Sequence, residues 1–127
     1  EPRVSVPVDP ASRHYWIHGR VLLGTTHGDR GRVEDLGSIM AAERPQAWGE
    51  AKHRHWLCGH VHHSQVKELR GVTVETFRTL ATRDSWHAAQ GYVAQRDLKR
   101  ITYHRSYGEI ERATAGIDYL ERVARIE

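Results

Sequence analysis

Apolar residues in this chain fall into short runs punctuated by glycine and proline, the layout of strands alternating with helices rather than of a helical bundle. The run His14-Tyr15-Trp16-Ile17-His18 and the run Val21-Leu22-Leu23 flank Gly19-Arg20, which predicts two strands about a tight turn. The second strand leads into a loop, Gly24-Thr25-Thr26-His27-Gly28-Asp29. Val33, Leu36 and Met40 then recur at helical spacing beside Ile39, and Pro45 closes the pattern, so a helix is expected over 31–43. Pro45 suits the first turn of a second short helix reaching about Lys52. Residues 54–58 form a compact aromatic and apolar run, read as a buried strand that ends at Gly59-His60-Val61-His62-His63.

Farther on, 66–69 and 72–77 flank Arg70-Gly71, which predicts a hairpin with Val72 and Val74 on one face. The stretch 78–95 has weak periodicity and is read as irregular, with one short helical turn over 86–90. A second hairpin is expected from 99–104 and 109–112 across Ser106-Tyr107-Gly108, and Ile117, Leu120 and Ala124 suggest an amphipathic helix within 113–127. The order strand, helix, strand argues for an α/β class, a mixed sheet with flanking helices. Residues 1–12 hold three of the four prolines and read as an extended lead-in.

Length and composition narrow this picture. At 127 residues, one domain or part of one is expected. No apolar run approaches the roughly 20 residues of a transmembrane helix, and Glu1-Pro2-Arg3 lacks the start of a signal peptide, so no membrane partner and a cytoplasmic location are expected. The single cysteine, Cys58, excludes an internal disulfide and reads as a small buried hydrophobe beside Trp56 and Leu57. A net charge of +3 suits an anionic substrate without requiring one. The unusual count is ten histidines, which makes a metal site worth seeking.

His60 and His62 flank one residue at the end of an expected strand, where side chains two apart point the same way about 6.6 Å apart. Imidazoles so placed can serve adjacent metal ions, which in two-metal sites sit about 3.5–4 Å apart. His53 and His55 have the same spacing, so spacing alone decides nothing. What distinguishes His60 and His62 is that a second histidine loop, carrying His27, also follows an apolar strand. Ligands of open α/β sheets bind at the C-terminal ends of strands, where two such loops can converge.

The pair of segments Val21-Leu22-Leu23-Gly24-Thr25-Thr26-His27-Gly28-Asp29 and Trp56-Leu57-Cys58-Gly59-His60-Val61-His62 resembles the last two signature motifs of the calcineurin-like metallophosphoesterases. Val72-Thr73-Val74-Glu75-Thr76-Phe77-Arg78 and Ser85-Trp86-His87 look similar to a phage and prophage branch of that family. The resemblance covers roughly 14–112. It implies the C-terminal half of an α/β sandwich, with His27 and His60 on one divalent transition metal ion (Mn, Zn or Fe) and His62 on a second, together activating a water that attacks phosphorus. The implied substrate is a phosphomono- or phosphodiester, including a nucleotide or nucleic-acid ester. The family's earlier motifs, an Asp-x-His pair, a bridging Asp and an Asn-His-Glu segment, have no match in these residues. Without a bridging carboxylate at most one weakly held ion is expected here, and little activity from these residues alone.

Four further candidates carry alternatives. Asp29 is placed either to orient His27 or to cap the following helix. His63 is a substrate contact or an exposed loop histidine. Arg78, Arg83 and His87 could meet a phosphate or simply carry surface charge. The basic residues over 99–105 interleave with Ile101 and Tyr103, which fits a strand with one wet face as well as a nucleic-acid surface. Two rival readings follow, a nucleic-acid-binding module with incidental histidines and a structural domain forming a homo-oligomer through an uncovered sheet.

Overall fold

In the computed structural model, residues 3, 8–81 and 95–125 are described. They form an α/β structure: β1 (Arg13–His18), β2 (Val21–Thr26), a 3-10 turn (Val33–Asp35), α1 (Leu36–Glu43), α2 (Pro45–Glu50), β3 (His53–Cys58), β4 (Gln65–Leu69), β5 (Val72–Thr76), β6 (Asp97–His104), β7 (Gly108–Gly116) and α3 (Ile117–Ala124). Five strands make one mixed sheet in the order β1-β2-β3-β5-β4, and β6 and β7 pair separately. The strands β2, β3 and β5 run parallel, and the antiparallel β1 and β4 form the sides.

Alternation of side chains gives the sheet two different faces. One face carries Leu22, Trp56, Cys58, Val72 and Val74 against Leu36 and Met40 of α1, a single buried cluster. Each large side chain taken fully out of water there contributes about 1.5–3 kcal/mol. The Trp56 indole stays polar-satisfied by donating to the Leu36 carbonyl at 2.8 Å. Gly24 is required by this packing, because a Cβ there would stand 2.8 Å from the Trp56 ring and 2.9 Å from the Met40 methyl. The edge strand β1 is tied to the end of α1 by Glu43, which accepts from Arg13 and, at 2.6 Å, from the Tyr15 hydroxyl.

The opposite face carries His53, His55 and Glu75, and the β6–β7 hairpin lies across it. Gly108 sits against the His53 ring, Tyr103 meets His55 edge-on at 4.9 Å between ring centres, and Lys99 and Arg112 both reach Glu75 at 3.1 Å. Glu75 is 4% exposed, so its charge is tolerable only because these two cations surround it.

The structure departs from the sequence reading at the starts of two helices and in the length of the second hairpin. The first helix begins at Leu36, not near Gly31, because Val33–Asp35 winds as a 3-10 turn. The terminal helix begins at Ile117, not within 113–116, because Ala113 through Gly116 continue β7 in register with β6. Both strands of the second hairpin, β6 and β7, are longer than the periodicity implied. The irregular reading of 78–95, with its turn over 86–90, falls mostly outside the described residues. Among the described residues no helix is long and apolar enough to cross a membrane.

Candidate metal centre

Parallel pairing of β2 with β3 sets Thr26 beside Cys58, so the two chains leave the sheet side by side at the C-terminal rim. Their loops then pack backbone against backbone. A Cβ on Gly28 would lie 3.4 Å from the Gly59 carbonyl oxygen, and one on Gly59 would lie 3.4 Å from that of His27. Both distances are ordinary contacts, and glycine is demanded only at Gly28, by its left-handed backbone at φ 93°.

This approach brings His27 and His60 together. His27 Nε2 and His60 Nδ1 stand 3.3 Å apart and the rings meet edge-on with centres 5.1 Å apart, both open to solvent. Two imidazole nitrogens ligating one tetrahedral zinc at about 2.0–2.1 Å are separated by about 3.3–3.4 Å, so the spacing fits two ligands of a single ion. It also fits a long N–H···N hydrogen bond. The donor set accordingly suits half of a divalent transition-metal shell. Among the described residues no group of three or more His, Cys, Asp or Glu forms a metal-holding cluster.

The local backbone differs from the expected one. His60 and His62 do not continue a strand with parallel side chains; both have left-handed backbones, φ 66° and φ 55°. The Val61 amide donates back to the Gly59 carbonyl at 2.9 Å, closing a three-residue turn about His60, a rare and strained geometry at positive φ. His62 follows half-buried at φ 55°. The His63 ring faces the Val61 carbonyl at 3.0 Å, and its own carbonyl accepts from the Thr76 hydroxyl at 2.8 Å, which pins the loop to β5.

The remaining candidates are placed elsewhere. Asp29 makes a 3.6 Å ion pair with exposed Arg30; among the described residues it neither bonds to His27 nor caps a helix, the positions before the 3-10 turn and α1 being Arg32 and Asp35. Arg78 donates at 2.6 Å to Asp97, whose side chain is 4% exposed, so its first task is to neutralise a buried carboxylate. Arg83 and His87 lie outside the described residues. Cys58 is buried, and burial pushes its thiol up to about 11, which keeps it protonated and unreactive next to the rim.

The sequence reading missed the ion cluster under the hairpin. The signal was Glu75, a carboxylate in the middle of the otherwise apolar and β-branched strand Val72–Thr76, which demands a buried cation. Comparison with known proteins leaves the matter with these residues: no family model, no curated protein and no solved structure matches the chain.

Proposed function

We propose that this chain contributes a two-histidine arm, His27 and His60, to the divalent-metal centre of a phosphoester hydrolase, with His62 on the same loop and the carboxylate ligands supplied from outside these residues. The observation that carries the reading is the 3.3 Å approach of His27 Nε2 to His60 Nδ1 at the C-terminal rim of a parallel strand pair. Backbone strain at His60 supports it, since a left-handed non-glycine residue is uncommon and such strain gathers at functional sites. The resemblance of the two loops to metallophosphoesterase motifs supplies the reaction class.

An ion bound there would polarise a phosphoryl oxygen and acidify a water. The residues on hand would hold it from one side only: β2 and β3 deliver the two loops side by side, and the bond from the Thr76 hydroxyl to the His63 carbonyl pins the loop that follows His60 to β5. Such an arm is insufficient for turnover. The test is calorimetric titration of the chain with zinc or manganese. We expect about one ion per chain, released by chelator, lost in His27→Ala and in His60→Ala, with no hydrolysis of a nitrophenyl phosphodiester by the chain alone. A wild-type chain that takes up no ion, or one whose uptake is indifferent to both substitutions, disposes of the proposal.

A further inference from the structure

The other end of the same parallel strands gathers a different set of groups. The β1–β2 turn brings Arg20 there, the start of β3 brings Lys52, and the β4–β5 turn brings Arg70, whose backbone together with Gly71 is left-handed. The β6–β7 turn joins them, because the Arg20 amide donates to the Arg105 carbonyl at 2.7 Å and the Lys52 amide donates to the Arg20 carbonyl at 2.9 Å. Four side-chain cations, Arg20, Lys52, Arg70 and Arg105, therefore stand along one edge of the sheet, all exposed. None of the four makes a side-chain hydrogen bond or ion pair among the described residues. By contrast, Arg13, Lys67, Arg78, Lys99, Arg100 and Arg112 are each held by a carboxylate.

Two more features belong to this edge. Tyr107 is 72% exposed and stacks on His104 at 4.5 Å with the rings 21° from parallel, so an aromatic face is offered to solvent beside Arg105. Between Lys52 and Arg70 lies an open cavity of about 400 Å³, lined also by His53 and His55. His53 Nε2 is buried without a hydrogen-bond partner. Glu68 is the one carboxylate in the cavity lining, and nearby Glu109 is already held by Arg112.

We infer that this edge binds single-stranded nucleic acid, with Arg20, Lys52, Arg70 and Arg105 on the phosphates and a base stacked on Tyr107. Unpaired cations beside a free aromatic face are the combination by which single strands are held without sequence preference. An acidic peptide would satisfy the cations and leave the aromatic face unused. From the β1–β2 turn to the β4–β5 turn the edge spans about 15 Å, three strand spacings, enough for a few nucleotides.

The experiment is fluorescence anisotropy of the full chain with a labelled oligothymidylate of roughly 15 nucleotides, a length that exceeds the edge. Binding is expected at about 50 mM salt and should weaken steeply by about 200 mM, with a logarithmic slope of about 0.7 per phosphate contact. Alanine at Arg20, Lys52, Arg70 and Arg105 together should flatten that slope by two or more, and lysine at the three arginines should restore it. Tyr107→Ala should weaken binding about tenfold with the slope unchanged. A duplex of the same length should bind at least tenfold more weakly, since its bases are already stacked. His27→Ala with His60→Ala should leave the titration unaltered, which separates this surface from the metal proposal. The inference fails if the oligonucleotide does not bind, if the fourfold variant binds as wild type, if Tyr107→Ala is silent, if duplex binds equally, or if phosphatidylserine vesicles or polyglutamate compete as strongly as the oligonucleotide itself.

Discussion

His60 concentrates the tension between folding and chemistry in one residue. Its left-handed backbone, closed by the bond from Val61 to Gly59, is a conformation glycine would adopt freely, and a β-carbon there costs on the order of 1 kcal/mol. A purely structural turn at this position would favour glycine. His60→Gly is therefore expected to leave the denaturation midpoint equal to wild type or raise stability by about 1 kcal/mol, while abolishing the metal isotherm. A chemical-denaturation curve beside the calorimetric titration checks both halves. A fall in stability of 1 kcal/mol or more would show that the side chain is holding the loop rather than being strained by it. Gly24 shows the converse case, where the absence of a side chain is demanded by Trp56 and Met40 and has no chemical role.

The β6–β7 hairpin is the element whose attachment depends most on charge. It docks through Lys99 and Arg112 on Glu75 and through Tyr103 on His55, and burial is the main cause that lowers the His55 pKa below the ordinary histidine value. Glu109 from β7 and Glu75 from β5 act in the opposite sense, and Arg112 and His53 reinforce the lowering. A histidine depressed in the fold is neutral there while the unfolded chain takes up its proton, so its contribution is complete above about pH 6.5 and is lost as pH falls below it. The urea midpoint should thus decline on acidification from pH 7 toward 5, at no more than about 1.4 kcal/mol per pH unit from this group. His55→Phe should flatten that part of the profile; an unchanged slope would place the titration elsewhere. Most elements of this hairpin and of the main sheet were legible in the sequence, because Gly19-Arg20 and Arg70-Gly71 sit between alternating or β-branched runs that leave little choice of turn. The length of β7 was not legible, since Glu111 through Gly116 are small or polar and are held extended by pairing with β6 rather than by their own pattern. The left-handed turn at His60 was hidden for a related reason: spacing of two predicts a strand unless the backbone bonds of the loop are known.

On the scale of the molecule, the sheet separates the two proposed sites. The convergence of His27 with His60 could be anticipated because parallel strands deliver their following loops to one rim, a rule of topology that needs no knowledge of side-chain contacts. The basic edge was harder to read: the parallel strand order gathers Arg20, Lys52 and Arg70 at the opposite end of the sheet, but Arg105 joins them only through the docking of the hairpin against the start of β2. Strands β2 and β3 are each six residues long, so rim and edge stand about 20 Å apart. That is more than twice the screening length of about 8 Å in physiological salt. A cation seated between the imidazoles would consequently be felt hardly at all by a polyanion at the far end. Mixing the two ligands should yield additive heats rather than cooperativity, and each affinity can be measured in the presence of the other without correction.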